Sequence, residues 1–457
     1  MAGKYEIDMV HGSLMPKIIR FSIPLIITNM LQMFYNAADL IVVGRFAGSN
    51  SLAAVGSTGA LTAFFVNFFM GLALGANVII SQQIGASRIK AAKKSVHTAV
   101  TISIIVGVFV AITGFFLAKP LLILTGCTSD VIDEATIYMK IIFLGMPAQM
   151  VYNYAAAILR AVGDTKHPLY FLSLAGVLNI VLNIVLVAGF GRKADGVAIA
   201  TVFAQTVSAV LIIRLLMRYK GVCRLRIKRL GINKESLIGM MKLGLPSGIQ
   251  SSLFSLSNIV IQSTVHSFGT AVMAGSAAAG NIEGFVYTAM NAVANAAVAF
   301  SGQNAGAKRP ERISRVLKDC IIVDLILASV LGAVCIGFSK NLVSIYIPSG
   351  DAAVLAGVQK LSIIGGTYLL CGIMETLSYT IRGMGKSVLP MLISLVGVCG
   401  FRILWVFAVL PLNRTFIMLM IGYPVSWSIV IVFNFIYYKK VKSDFTKRIL
   451  EEKLTDA

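Results

Sequence analysis

The chain has 457 residues, of which 57% are hydrophobic and 13% are charged, and its mean hydropathy is +0.84. Soluble globular proteins carry roughly 25% charged residues, so a soluble fold is excluded. The apolar runs are continuous, which excludes the alternating strands of a β-barrel. The net charge of +21 comes from basic residues between the apolar runs, a pattern that sets membrane topology and excludes a nucleic-acid-binding domain.

Apolar runs long enough to cross a bilayer, at about 20 residues each, occur twelve times. They cover residues 17–45, 53–81, 96–118, 134–159, 168–190, 196–217, 238–265, 271–302, 317–338, 356–381, 388–411 and 415–438. The predicted fold class is therefore an all-α polytopic membrane protein with 12 transmembrane helices.

Basic residues alternate between the loops. The loops after spans 2, 4, 6, 8 and 10 are rich in Lys and Arg, with seven in segment 218–234 alone, whereas the other loops hold few. The positive-inside rule then places both termini in the cytoplasm. We expect a multi-pass protein of the cell membrane.

The two halves of the sequence repeat each other at an almost constant offset. Pro24 matches Pro246, and "LRAVGDTKHP" after span 4 matches "IRGMGKSVLP" after span 10, both at an offset of 222. Six spans separate each pair, so the halves share one orientation. The pattern predicts two parallel six-helix repeats around a central cleft, an organisation typical of secondary transporters.

The repeat also predicts the domain limits. We expect an N-terminal six-helix lobe over 1–217, a cytoplasmic basic linker over 218–236 and a C-terminal six-helix lobe over 237–440. Residues 441–457 are then a cytoplasmic tail.

Asp39 is a carboxylate late in span 1, with Tyr35 and Asn36 preceding it by four and three residues on the same helix face. An intramembrane charge costs at least about 2.5 kcal/mol at mid-helix and is a functional candidate by default. Asp39 can take up H⁺ or contribute an oxygen to a Na⁺ site. The alternative is a structural Asp bonded to a nearby hydroxyl or amide.

Span 5 carries two amides, Asn179 and Asn183, spaced i, i+4 on one face. They can hydrogen-bond Asp39, or they can serve only to hold packed helices together. Gln149 and Asn153 form a similar but weaker stripe on span 4.

The second half carries other charges: Glu283 on span 8, Glu375 on span 10 and Arg402 on span 11. Arg402 lies far from both ends of its span and needs a partner, which Glu283 or Glu375 can provide. The sequence leaves open whether such a pair is fixed or switches.

Methionine is plentiful at 19 residues, Met33 among them. Adaptable thioethers suit a cavity for varied apolar ligands, although core packing is their commoner use. The sequence contains neither a P-loop nor an H-E-x-x-H helix. We therefore expect no enzymatic activity, no cofactor beyond H⁺ or Na⁺ as coupling ion, and no metal other than Na⁺ at Asp39.

The motifs "DLIVVGRFAG", "LRAVGDTKHP", "GQNAGAKRPER" and "IRGMGKSVLP" resemble those of the multidrug and toxic compound extrusion (MATE) family. The resemblance implies two six-helix lobes in a V shape that export cationic or amphipathic compounds in exchange for H⁺ or Na⁺. It places the family's span-1 aspartate on Asp39 and its span-5 polar pair on Asn179 and Asn183. In some relatives the second of that pair is acidic, which Asn183 is not.

Other relatives use acids on spans 7 and 10. Here span 7 has no acid, and Glu375 is about one helical turn from the usual position.

Three functions compete. The first is a secondary antiporter working by alternating access, coupled through Asp39, Asn179, Asn183 and Tyr35. Its weaker cavity candidates are Asn36, Gln149, Asn153, Met33, Glu283, Glu375 and Arg402. The second is a flippase for lipid-linked oligosaccharide or peptidoglycan precursors, and the third is an intramembrane transferase. The expected partners are small amphipathic or cationic substrates and the lipid bilayer, with no nucleic acid, and the protein is expected to be a monomer.

Overall fold

A computed structural model describes residues 5–347 and 351–455, and every regular element within those ranges is a helix. The helices are α1 (Met15–Val42), α2 (Ser49–Gly85), α3 (Ile89–Leu124), α4 (Ile132–Ala161), α5 (Lys166–Asn183), α6 (Ala194–Arg218), α7 (Lys234–His266), α8 (Thr270–Gly306), α9 (Pro310–Gly337), α10 (Ser339–Tyr346), α11 (Asp351–Gly383), α12 (Val388–Ser394), α13 (Phe401–Leu404) and α14 (Phe416–Thr455). Wider π-helical turns follow α1, α5, α12 and α13.

Within the described residues, ten helices are long and apolar enough to cross a bilayer, with α12 and α13 forming one of them over Val388–Leu412. The helices α7 and α8, of 33 and 37 residues, are also long enough but carry many Gly, Ser, Asn and Gln side chains that lower their hydropathy. With these two the described chain has the twelve long helices that the sequence predicts.

Large apolar side chains are exposed on most of the long helices. Examples are Phe116 on α3, Ile184 after α5 and Phe433 on α14. In water such a surface would favour aggregation, whereas in a bilayer these side chains contact the hydrocarbon of the lipid tails. The exposure pattern therefore agrees with the membrane prediction.

The backbone repeats the pattern seen in the sequence. Left-handed φ angles recur at matched positions: Gly48 (89°) with Gly269 (101°), Ser87 (57°) with Lys308 (56°), and Gly163 with Gly385 (both 86°). Gly163 and Gly385 follow the ends of α4 and α11, where a left-handed residue terminates a helix and favours glycine. These matched turns confirm that the two halves are structural repeats.

The described residues pack as two compact units. The first comprises Met1–Asp8, Ile27–Ile84 and Arg88–Gly248. In this unit α2 and α7 approach closely: a Cβ on Gly75 would lie 2.2 Å from the Met240 carbonyl oxygen. Only glycine permits that contact, as is common where membrane helices pack.

The basic segment between α6 and α7 packs on the first unit. His97 of α3 accepts a hydrogen bond at Nε2 from the Arg226 amide at 3.1 Å, and the Gly231 amide donates to Thr101 at 3.1 Å. The predicted linker is therefore bound, at Arg226 and Gly231, to the N-terminal part of α3.

The second unit comprises Met9–Ile26, Gly85–Ser87 and Ile249–Ala457. The chain before α1 is fixed here by α8 and α9, since Asn304 donates to the Met9 carbonyl at 3.0 Å and Arg312 donates to the Gly12 carbonyl at 3.2 Å. The predicted tail continues α14 without a break to Thr455.

The limits of these units differ from the predicted 1–217 and 237–440, because 9–26 packs with the second unit and residues up to 248 pack with the first. Hydropathy locates the ends of a span but not the neighbours of each half. In both α1 and α7 the change of unit comes just after a proline, Pro24 and Pro246. Proline removes a backbone hydrogen bond, so each helix is weakest there.

Candidate functional site

Asp39 lies on α1 near the C-terminal end of that helix and is half-buried. Asn183, the last residue of α5, is fully buried opposite it, and Thr201 of α6 completes the surroundings. Three helices of the first unit therefore converge on one carboxylate.

The side chains form a closed ring of hydrogen bonds. Asn183 donates from Nδ2 to the Asp39 carboxylate and also, at 3.4 Å, to Asn179 Oδ1. Asn179 donates to the Thr201 hydroxyl at 3.2 Å, and that hydroxyl donates to the other Asp39 oxygen at 3.4 Å. Of the two asparagines, Asn183 hydrogen-bonds Asp39 directly, and Asn179 is joined to the carboxylate through Asn183 and Thr201.

The ring surrounds the carboxylate with neutral donors. A charge at mid-helix costs about 2.5–3.5 kcal/mol, and a hydrogen bond to a charged group returns about 1.5–3 kcal/mol. Two such bonds, one of them 3.4 Å long, roughly offset the cost of burying the Asp39 charge and add little net stability. Within the described residues no Lys or Arg forms an ion pair with Asp39, so its ionised form has no fixed counter-charge.

The side-chain carbonyl oxygen of Asn183, Oδ1, adds a second feature. It is buried and accepts no hydrogen bond from any described group. A buried acceptor left unpaired costs about 1–3 kcal/mol. An orphan oxygen next to a carboxylate is suited to a cation or to a group that carries a proton, and the oxygen ligands at hand fit Na⁺ as well as H⁺.

Tyr35 lies one turn before Asp39 but points elsewhere. Its hydroxyl donates to the Ser173 carbonyl of α5 at 3.3 Å. Its phenol side chain lies against Gly176, where an added Cβ would come within 1.8 Å of a phenol carbon. Tyr35 therefore fixes α1 against α5 and does not touch the ring of hydrogen bonds.

Irregular backbone flanks the site on both helices. A π-helical turn, Val43–Ala47, follows α1, and another, Ile184–Gly189, follows Asn183 directly, and the two are in contact. Such turns are rare and frequently occur at functional sites, because the wide turn reorients the neighbouring side chains.

The remaining first-half candidates lie outside this ring. Asn36 is exposed, Met33 is half-buried, and Gln149 and Asn153 are half-buried on α4 without a side-chain hydrogen bond to any described residue. The structure thus separates them from the Asp39 cluster.

In the second unit Glu283 pairs with a residue that the sequence analysis did not consider. Its carboxylate lies 3.2 Å from Lys360 Nζ, which also donates to the Ser276 carbonyl at 3.1 Å. Of the two acids considered as partners of Arg402, Glu283 is therefore excluded, because it pairs with Lys360 on the neighbouring α11.

Arg402 is buried and has no acidic partner among the described residues. Its Nε donates to Ser426 at 3.0 Å, and its guanidinium lies 3.9 Å from the centre of the Tyr423 ring and 5.8 Å from that of Trp427. Glu375 is buried on α11, and within the described residues no ion pair joins it to Arg402. The predicted partnership with an acid is wrong because aromatic faces and a hydroxyl stabilise the cation.

Comparison with known proteins places this architecture in a family. The model of the MatE family matches residues 24–185 and again 246–408, so the two matches begin 222 residues apart. The chain belongs to the MatE family. Its two matches coincide with the two structural repeats, which explains why they begin with the same offset as the paired prolines.

Relatives of this MATE transporter extend over nearly its whole length. The probable multidrug resistance protein YoeA of Bacillus subtilis (strain 168) is 28% identical over 94% of this chain and 95% of its own. YpnP of the same organism, also a probable multidrug resistance protein, is 26% identical over 85% of this chain and 87% of its own. An outward-facing multidrug resistance MATE family transporter of known structure has 21% identity and a TM-score of 0.90 over 98% of this chain and 100% of its own.

Sequence reasoning missed three polar residues of this MATE transporter. Thr201 closes the Asp39 ring, Lys360 pairs with Glu283, and Asp324 on α9 is fully buried and accepts a hydrogen bond from Thr376 at 2.5 Å. Asp324 gave the same signal as Asp39, an acid inside an apolar span. Thr201 gave none, because a lone threonine is common in membrane helices.

Proposed function

We propose that this MATE transporter is a secondary antiporter that exports cationic or amphipathic compounds in exchange for H⁺ or Na⁺. Multidrug resistance is named for its relatives in Bacillus subtilis, and no feature of the Asp39 cluster favours a lipid-linked precursor instead. We further propose that it works as a monomer in the cell membrane with both termini in the cytoplasm.

The observation that supports coupling is the Asp39 carboxylate among neutral donors, beside the orphan Asn183 oxygen. A cation bound there satisfies both groups at once. When the ion leaves, the carboxylate depends again on Asn183 and Thr201, so the contacts of α1 with α5 and α6 change with occupancy.

Exchange follows if the ion and the drug prefer different states of the protein. A ligand shifts a conformational equilibrium only through its differential affinity for the two states, and the coupling is reciprocal. Ion binding at Asp39 then favours the state that releases drug outward, and drug binding favours the state that releases the ion inward.

The test is efflux of ethidium from proteoliposomes under separately imposed H⁺ and Na⁺ gradients. We expect one gradient to drive efflux by the wild type and Asp39→Asn to reduce it to the level of protein-free vesicles. Asp130→Asn, the same change on an exposed loop residue, is the matched control and should leave efflux intact. Gradient-driven efflux by Asp39→Asn at the wild-type rate would overturn the proposal.

A further inference from the structure

A shallow pocket lies on the first unit between α5 and α6. It has a volume of about 350 Å³ and is lined by Phe171, Leu211, Arg214, Leu215 and Arg218. Its lining combines three apolar side chains, which we call the floor, with two arginines, which we call the rim.

The position of the pocket relates it to one surface of the membrane. Arg218 is the last residue of α6, and Arg214 lies four residues earlier, about 6 Å deeper along the helix axis. Phe171 lies five residues into α5, about 7.5 Å from its start. Both helix ends belong to the same side, where the basic loops are, so the pocket spans the boundary between hydrocarbon and headgroups.

The two arginines share one helix face because they are spaced i, i+4, and both are exposed. Neither forms an ion pair with a described carboxylate. The nearby acid of the α4–α5 loop, Asp164, is already engaged, since it accepts hydrogen bonds from His167 at 2.6 Å and from Tyr219 at 3.4 Å. The rim therefore keeps two unneutralised positive charges.

Charge and apolar surface together define the ligand. Guanidinium groups bind phosphate oxygens with two parallel hydrogen bonds, and the floor of Phe171, Leu211 and Leu215 suits an acyl chain. Basic pockets between membrane helices on the side of the basic loops are typical sites for anionic lipid headgroups. We propose that this pocket binds an anionic phospholipid, with its phosphate on Arg214 and Arg218 and its acyl chain along the floor.

The test uses a tryptophan reporter beside the pocket, Val210→Trp, because Val210 is exposed, shares the face of Arg214 and does not line the pocket. The two native tryptophans, Trp405 and Trp427, both lie in the second unit, and the parent protein gives their background. The protein is reconstituted into phosphatidylcholine vesicles that contain either brominated phosphatidylglycerol or brominated phosphatidylcholine as the quencher. We expect the phosphatidylglycerol quencher to be the more effective, and equal quenching by the two lipids would overturn the proposal.

The arginines are tested with the double variant Arg214→Gln/Arg218→Gln in the Val210→Trp background. Each basic residue near a membrane surface contributes enough to expect roughly tenfold or greater loss of phosphatidylglycerol affinity. Lys228→Gln/Arg229→Gln removes the same charge from exposed positions of the basic segment and should retain the preference. An equal loss in both double variants would indicate general surface charge and contradict a built site.

Inorganic phosphate distinguishes the two sources of a phosphate group. We expect phosphate added to the vesicles to leave the lipid preference unchanged, because it lacks the acyl chain. If inorganic phosphate abolishes the preference for phosphatidylglycerol, the pocket is a free-anion site and the lipid assignment is wrong. The quenching comparison in Val210→Trp needs no arginine variant, so equal quenching by the two lipids still overturns the proposal if the double variant does not fold.

Discussion

The side-chain amide of Asn183 donates to the Asp39 carboxylate and so joins the end of α5 to α1 within the first unit. Asn183 is fully buried, and its side-chain oxygen Oδ1 accepts no hydrogen bond from the described residues. One residue therefore both stabilises the carboxylate and supplies a free oxygen beside it.

Removing this amide should weaken the fold. In Asn183→Ala the Asp39 carboxylate loses a donor and a buried void appears, and together these effects should cost about 1–3 kcal/mol. Thermal unfolding in detergent measures the loss. Asn153→Ala is the matched control on α4, where the side chain is half-buried and outside the ring, and should shift the midpoint little. Similar shifts in both variants would contradict a special role for Asn183.

Gly176 should not tolerate a methyl group, because its added Cβ would lie 1.8 Å from the Tyr35 ring. Overpacking of this kind costs about 1–3 kcal/mol, so Gly176→Ala should unfold at a lower temperature than the parent. Gly189→Ala is the control, since a Cβ there meets nothing within 4 Å. In a Tyr35→Ala background the same glycine change should cost much less, because the ring that the new Cβ would meet is gone. An equal cost in both backgrounds would argue against this packing.

Glu283 and Lys360 should behave as a coupled pair in the second unit. Breaking a buried ion pair by removing one charge costs about 3–5 kcal/mol, whereas removing both is often nearly neutral. We expect Glu283→Gln and Lys360→Met each to destabilise the protein and the double variant to regain most of the loss. A double-mutant cycle on unfolding midpoints tests the coupling, and strictly additive effects would refute it.

Cys223, in the segment that follows α6, should resist thiol reagents. Burial raises the pKa of its thiol, and the nearby carboxylates of Glu6 and Asp164 raise that pKa further. A raised pKa leaves less thiolate at a given pH, and thiolate is the reactive form. Single-cysteine variants that retain Cys223 or the half-buried Cys127 should therefore label at different rates with maleimide, Cys127 faster. Equal rates at mildly alkaline pH would contradict the burial of Cys223.

The helices and their repeat could be predicted from the sequence because hydropathy and turn residues are local properties. The offset of Pro24 and Pro246 and the matched turn glycines Gly163 and Gly385 appear unchanged in the structure. The packing of each half of α1 and α7 could not be predicted, because it depends on residues that are distant in the sequence.

The site was predicted only in part, for the same reason. An acid such as Asp39 and an i, i+4 pair of amides can be seen in a sequence, and the structure brings them together. The partners of Arg402 and Glu283 were wrongly assigned because a sequence shows which charges need compensation but not which side chain is nearest. In the structure Arg402 donates a hydrogen bond to Ser426 and lies over the Tyr423 ring, and Glu283 forms an ion pair with Lys360.

The central claim is that Asp39 captures and releases the coupling ion, and direct ion counting tests it most directly. A cationic drug, tetraphenylphosphonium, is added to purified protein in weakly buffered detergent solution while a pH indicator and a Na⁺-selective electrode follow the released ion. The account predicts that the wild type releases H⁺ or Na⁺ as the drug binds and that folded Asp39→Asn binds the drug without releasing either ion. Equal ion release by wild type and Asp39→Asn would contradict it.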